Sequence, residues 1–363
     1  MAAAHNFDVP AGNTVRVRII DTTSRIEKVP STFLMEPIVP GFTHMPKLPS
    51  WSFLVEHASG KKALFDLGVP PTWKDFSPVT TSHTIAAGWN VTAEKHTVQI
   101  LEETGVKGEE INSIIWSHWH WDHLGDPSTF PPSTELVVGP GFKEAFFPGY
   151  PAKVDAPVRE SDFAGREVRE IDFTESKLKI EKFDAFDFFG DGSFYLLDTP
   201  GHAIGHLCGL ARTSSNPDTF IMMGGDLCHH SGELRPSPLL PLPQDSQLQT
   251  ILQGIMPHVP ACPGAVLEHV QHSRGRKLDE PFFIPAMGLH IPTAIESIKK
   301  AQEADADSNV WFIFAHDDSL WGLIDFFPAD VNSWKEKGWG AKTKWSFLKD
   351  FRPALEAEAE TKS

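Results

Sequence analysis

Apolar positions along this chain come in short runs separated by polar and turn-forming residues. Val15–Asp21 alternates loosely, the period of a half-buried strand. Trp51–Glu56 and Lys62–Asp66 are two more strand-sized runs, and Ala58-Ser59-Gly60-Lys61 between them predicts a hairpin. Ile111–Trp116, Glu135–Val138, Phe194–Leu197, Leu207–Ala211, Phe220–Met223 and Val310–Phe314 are further apolar runs of strand length. Such runs suit strands buried on both faces. Helical patterning is expected over Thr92–Thr104, with Val98 and Leu101 on its apolar face and Gly105 as its stop. It is also expected over Gln244–Met256, Pro292–Ala304 and Lys344–Ala359, the last with a polar outer face.

Strands come first, then helix and strand mixed. That order suits two packed sheets with helices outside better than a doubly wound parallel sheet. No Gly-rich phosphate loop follows a strand. Between Ser231 and Leu289 prolines cluster, as in Arg235-Pro236-Ser237-Pro238, Pro241-Leu242-Pro243 and Cys262-Pro263-Gly264. Stiff, irregular backbone is expected there, either a lid or binding loop or a surface insertion. The expected organisation is one domain over residues 1–363, with this insertion at about 231–289 and a C-terminal helical extension at about 328–363.

Composition narrows the chemistry. A chain of 363 residues can bury a core without staples. Its 48 acidic and 32 basic residues give a net charge of −16, which argues against nucleic acid as a partner. Three Cys exclude a disulfide framework and a Cys-rich zinc module, whereas 17 His make imidazole abundant. No apolar run approaches the ~20 residues that span a bilayer, so no membrane partner is expected. Met1–Gly12 has no basic segment followed by an apolar run, and Thr361-Lys362-Ser363 matches no common address. The expected location is cytoplasmic.

Candidate ligands concentrate in His118-x-His120-x-Asp122-His123, directly after a buried run. Four ligands in six residues cannot share one helical face, so they are expected to line a turn at a strand end. Imidazole nitrogen and carboxylate oxygen suit a borderline divalent ion such as zinc. Three other apolar runs lead into single ligand types: His202, Asp226 and His316. Seven ligands exceed one tetrahedral site and suit two ions sharing a bridging carboxylate.

In order and spacing these residues resemble the metallo-β-lactamase superfamily, with motifs running from about residue 15 to 320. The resemblance implies an α/β (α+β) fold, a four-layer αββα sandwich with metals at one edge. It implies His118, His120 and His202 on the first of two divalent cations, with Zn2+ expected. Asp122, His123 and His316 would hold the second, and Asp226 would bridge. Asp66, in Leu64-Phe65-Asp66-Leu67-Gly68, matches an Asp that orients ligands in the family, and His206 is expected beside the ligands.

The segments Thr199–His206 and Ala315-His316-Asp317 are similar to the quorum-quenching lactonase branch. There a Tyr that contacts the substrate carbonyl stands three residues after the bridging Asp. Here that position is His229, and a His can replace a phenol as hydrogen-bond donor. Asp226-x-x-His229-His230 is also similar to fungal lactamases that open benzoxazolinone-like γ-lactams. The implied activity is opening of a lactone or lactam by a metal-bridging hydroxide, with Asp122 or His229 handling the leaving atom. Trp119, Trp121, Trp51 and Phe53, together with Phe42 and Met45, are expected to line a pocket for a small apolar or aromatic substrate. A thioesterase of the glyoxalase II or polyketide-releasing kind would use the same metals. A phosphodiesterase is disfavoured by the acidic balance. A metal-stabilised binding protein and a mononuclear iron site are further alternatives. The sequence does not indicate an oligomeric state.

Overall fold

Alternation within each apolar run sends neighbouring side chains to opposite faces, and this fold buries both. A computed structural model describes residues 7–256 and 258–361. Of the termini used in the address reading, residues 1–6 and 362–363 lie outside the described residues. No helix among those described is long and apolar enough to cross a membrane.

The first sheet contains β1 (Val15–Ile20), β2 (Ser52–His57), β3 (Lys62–Phe65), β4 (Ser113–Ile115), β5 (Glu135–Val138) and β6 (Val168–Glu170), in that spatial order. The hairpin β2–β3 pairs Phe53 with Phe65, and β3 to β6 run parallel. The second sheet contains β7 (Leu178–Ile180), β8 (Phe183–Asp187), β9 (Phe194–Asp198), β10 (Leu207–Ser214), β11 (Thr219–Met223) and β12 (Val310–Ile313). It is antiparallel except for its last pair, where Phe220 lies opposite Val310 in parallel register.

Three apolar layers follow from this arrangement. Val17, Val55, Phe65, Ile115, Leu196, Ile221 and Ile313 fill the space between the sheets. Leu54, Leu64, Ile114 and Leu136 face outward from the first sheet into a cluster that includes Leu101 of α1 (Thr97–Glu102). Leu197, Leu210, Met222 and Phe312 face outward from the second sheet, against Ile298, Ala301 and Ala304 of the 291–306 helix. The result is the four-layer αββα sandwich.

Three expected elements differ in detail. The 92–104 helix shortens to α1 because the Gln99 side chain caps the His96 N–H at 2.8 Å, which starts the helix there. Residues Asn90–Thr92 instead pair with Arg25–Glu27. The Pro-rich 231–289 stretch is not irregular throughout. Besides Asp245–Gln253 it forms a helix over Pro263–Ser273. Pro263 stands in that helix's first turn, where its missing N–H costs no bond. Phe282 and Phe283 bury the stretch, and Arg235 makes a two-pronged ion pair with Asp305 at 2.7 and 2.6 Å. The terminal helix is broken into Trp339–Lys344, a tighter turn over Ser346–Phe351, and Arg352–Thr361. Pro353 cannot sit inside a continuous helix but fits the start of a new one.

Candidate metal centre

Five strands end at one edge of the sandwich, and the loops that follow them carry the candidate chemistry. Asp66 follows β3, and His118 and His120 follow β4. Asp122 and His123 lie on a single helical turn, Trp121–Leu124, rather than in an open turn. His202 follows β9, Asp226 follows β11 and His316 follows β12. Gly225, at φ +51°, permits close packing there: a Cβ would stand 2.8 Å from Ser117 Cβ and 3.0 Å from His206 Nε2.

The side chains converge into two groups, His118–His120–His202–Asp226 and Asp122–His123–His316. His202 Nε2 lies 3.2 Å from His118 Nε2 and 2.9 Å from His120 Nδ1. Asp226 joins the groups. Its Oδ2 faces His202 Nε2 at 3.5 Å and His118 Nε2 at 3.7 Å. Its Oδ1 faces His316 Nε2 at 3.1 Å and His123 Nε2 at 3.2 Å. Asp122 Oδ2 lies 3.5 Å from His316 Nε2.

These spacings test whether the residues fit cations. Ligands ~2.05 Å from a tetrahedral ion stand ~3.3 Å from each other. The distances here scatter around that edge length. Asp226 Oδ1 and His123 Nε2 are buried without a hydrogen-bond partner, as donor atoms reserved for an ion would be. Burial pushes His118 and His202 well below 6.5 and His120 down to about 4. These rings are therefore neutral at pH 7, with lone pairs available. Burial opposes charge on His123 as well, but Asp226 and Asp66 raise it. The residues fit two divalent cations, one in each group, with Asp226 between them.

Neighbouring groups hold these side chains in place. Asp66 Oδ2 faces His123 Nδ1 at 2.8 Å and accepts Ser117 Oγ–H at 2.7 Å, while Oδ1 accepts the Ser117 N–H at 2.6 Å. His206 Nε2 accepts the Asp226 N–H at 3.0 Å, so its Nδ1 carries the hydrogen and donates toward Thr199 O at 3.1 Å. Burial drives His206 down to about 3, keeping it neutral. His316 Nδ1 donates to Pro49 O at 2.6 Å, leaving Nε2 for the centre.

Beside the centre opens a cavity of about 350 Å³. Its polar end is His120, Asp122, Asp226, His229 and His316. Trp119 and Trp121 form part of its apolar wall. His229 lies outside both ligand groups, 3.4 Å from Asp226 Oδ2 through Nε2, and both its ring nitrogens lack a partner.

Four of the expected pocket residues are elsewhere. Trp51, just before β2, and Phe53, on it, lie two residues apart and face the same way, into the core between the sheets. Trp51 nonetheless serves the site indirectly. Its backbone N–H donates to Ala315 O at 3.0 Å and its indole N–H to Asp317 O at 2.8 Å, pinning the loop that carries His316. Phe42 packs on His230 and Phe283, and Met45 is buried away from the cavity.

Phe33, Trp89 and Met287 line the cavity and were not foreseen. Phe33 and Trp89 meet edge to face at 5.0 Å. Phe33 stands on the short helical turn Ser31–Leu34 and Trp89 just before Asn90–Thr92, and the pairing of Asn90–Thr92 with Arg25–Glu27 brings the two segments together. Each is an isolated aromatic in the sequence, so no local pattern marks it.

This combination is a His/Asp metal-binding cluster at the edge of an αββα sandwich. The chain belongs to the metallo-β-lactamase superfamily. Residues 45–212 match that superfamily. The chain is 42% identical over 351 residues to gamma-lactamase FDB1 of Fusarium pseudograminearum (strain CS3096), across 94% of this chain and 83% of that protein. It is 46% identical over 348 residues to metallo-hydrolase mfmC of Annulohypoxylon moriforme, across 94% of this chain and 89% of that protein. A solved quorum-quenching N-acyl homoserine lactone hydrolase superposes with a TM-score of 0.55 at 17% identity, over 88% of this chain and 100% of that one. That likeness concerns the fold.

Proposed function

We propose that this chain is a metal-dependent hydrolase that opens a cyclic amide or ester, with a small aromatic γ-lactam as its preferred substrate. The carrying observation is Asp226, whose two carboxylate oxygens face two separate histidine groups at the polar end of an apolar cavity. Its likeness to a fungal gamma-lactamase across most of both chains supports the lactam over the lactone.

Two cations, zinc by donor chemistry, would be held by His118, His120 and His202 and by Asp122, His123 and His316, with Asp226 shared. Bound there, they would supply Lewis acidity and an activated water at neutral pH. The chain's own residues do the rest. Trp119, Trp121, Phe33 and Trp89 hold a flat ring and exclude water. His229 and Asp122 border the reacting bond and handle the proton delivered to the leaving nitrogen or oxygen. His206 and Asp66 hold Asp226 and His123 in place. A cytoplasmic setting suits Cys208, Cys228 and Cys262, which are all unpaired.

The test is a side-by-side assay of one γ-lactam, the γ-lactone of the same ring system and an acyl thioester on zinc-loaded protein. The lactam should turn over fastest and the thioester slowest. A thioester rate above both ring substrates would overturn the reading in favour of a thioesterase.

A further inference from the structure

Behind His229 stands a buried carboxylate with no part in the chemistry so far. Glu233 ends the short turn Ser231–Glu233 and is 1% exposed. Its Oε2 accepts the backbone N–H of His229 at 2.6 Å and lies 4.0 Å from the ring Nδ1. Its Oε1 has no partner, and neither ring nitrogen of His229 has one. A bare carboxylate oxygen in the interior is costly unless a donor reaches it.

The nearby cations and rings are committed elsewhere. Arg235 is paired with Asp305. His230 accepts the Gly232 N–H through Nδ1 at 2.9 Å, and its Nε2 faces Asp350 at 3.1 Å. The backbone N–H of His230 also faces this carboxylate, and among the side chains around it the unspent donor position is His229 Nδ1. The ring is therefore flanked by two carboxylates, Asp226 on the Nε2 side at 3.4 Å and Glu233 on the Nδ1 side. It also lies nearly parallel to the His316 ring, at 11° and 6.2 Å. A small ring movement would close the 4.0 Å gap. Such contacts are often long before substrate binds.

We propose that Glu233 is the positioning residue for His229. Its carboxylate takes the ring Nδ1–H and the backbone N–H together, and so holds Nε2 toward Asp226 and the reacting bond. The kinetic part of this inference rests on the reading of His229 as facing substrate.

The experiment compares Glu233→Ala, Glu233→Gln, His229→Ala and the double variant Glu233→Ala/His229→Ala, each as zinc-loaded full-length chain. Glu233→Ala should lower kcat ~10–100-fold with KM nearly unchanged and metal content at the wild-type level. Glu233→Gln, whose amide oxygen accepts the same bonds, should restore most of that rate. In the His229→Ala background, Glu233→Ala should cost less than ~2-fold more, because the two residues act as one unit. Losses that multiply, or a drop in bound metal, would overturn the proposal. A second arm needs no substrate. In 15N NMR spectra of the zinc-loaded protein, the ring nitrogen signals that vanish in His229→Ala should shift in Glu233→Ala, and unmoved signals would overturn the proposal. If the wild type opens no lactam, the functional reading fails while this arm still reports on Glu233.

Discussion

Replacing Asp66 with Asn should weaken the second cation while sparing the first. Asp66 lies at φ +58°, in the left-handed region that Asn also tolerates, so the backbone is not the perturbation. What changes is the acceptor set. The carboxylate faces the Ser117 N–H on one oxygen, and Ser117 Oγ and His123 Nδ1 on the other. An amide has one oxygen. Turned one way, its NH2 confronts the Ser117 N–H. Turned the other way, it confronts His123 Nδ1, and the ring hydrogen must move to Nε2, the atom aimed at Asp226. Either choice forfeits a charge-assisted bond in the interior, worth about 1.5–3 kcal/mol. Through His123 that converts to a roughly 10–150-fold loss of affinity at the second site. The assay is chelator competition, with zinc counted at each concentration. One equivalent per chain should leave Asp66→Asn at roughly 10–150-fold less chelator than wild type, and the other should stay. Two equivalents held with wild-type affinity would refute the argument that Asp66 orients His123.

Three further outcomes follow from other parts of the structure. Trp89→Ala should raise KM for an aromatic γ-lactam about tenfold, with a smaller change in kcat, because it removes ring contact remote from the reacting bond. Steady-state kinetics would show this, and an unchanged KM would remove Trp89 from the substrate wall. Asp305→Ala should lower unfolding stability by about 3–5 kcal/mol in urea titrations, because it strands the buried Arg235 guanidinium. A loss under 1 kcal/mol would mean that Arg235 finds another partner. Burial lifts Asp198 to about 6 against the pull of Lys300. Between about pH 4 and 6 the folded chain therefore keeps a proton that the unfolded chain has lost, and stability falls as pH rises through that window. Asp198→Asn should then be about 1–3 kcal/mol more stable than wild type at pH 7 and nearly equal to it at pH 4, measured by urea unfolding at both values. A difference independent of pH would contradict the assignment.

The convergence of the His/Asp cluster was legible because four of its members are dense in sequence, and because the others follow short apolar runs whose ends meet once the strands pair. The strands were legible for a related reason. Phe220–Met223 alternates between the inner core and the outer helix layer, which demands an apolar residue at every position. Elements set by tertiary context were harder to read. Trp51 and Phe53 stand in a run that reads as a strand, but a run apolar on both faces does not say which face meets which layer, and the packing of the paired sheets commits both to the inner core. Pro263 read as a breaker, although a Pro in the first turn begins a helix. Phe33, Trp89 and Glu233 carry no periodic signal. Their importance comes from what three-dimensional packing sets beside them.

The central claim is that two cations on His118, His120, Asp122, His123, His202, Asp226 and His316 power ring opening. The most direct measurement adds zinc stepwise to metal-free protein and records bound zinc and γ-lactam opening in the same samples, for wild type and His118→Ala. Wild type should bind two equivalents per chain and gain turnover as they bind, while His118→Ala should lose both metal retention and turnover. Full γ-lactam turnover by chelator-treated His118→Ala would contradict the account.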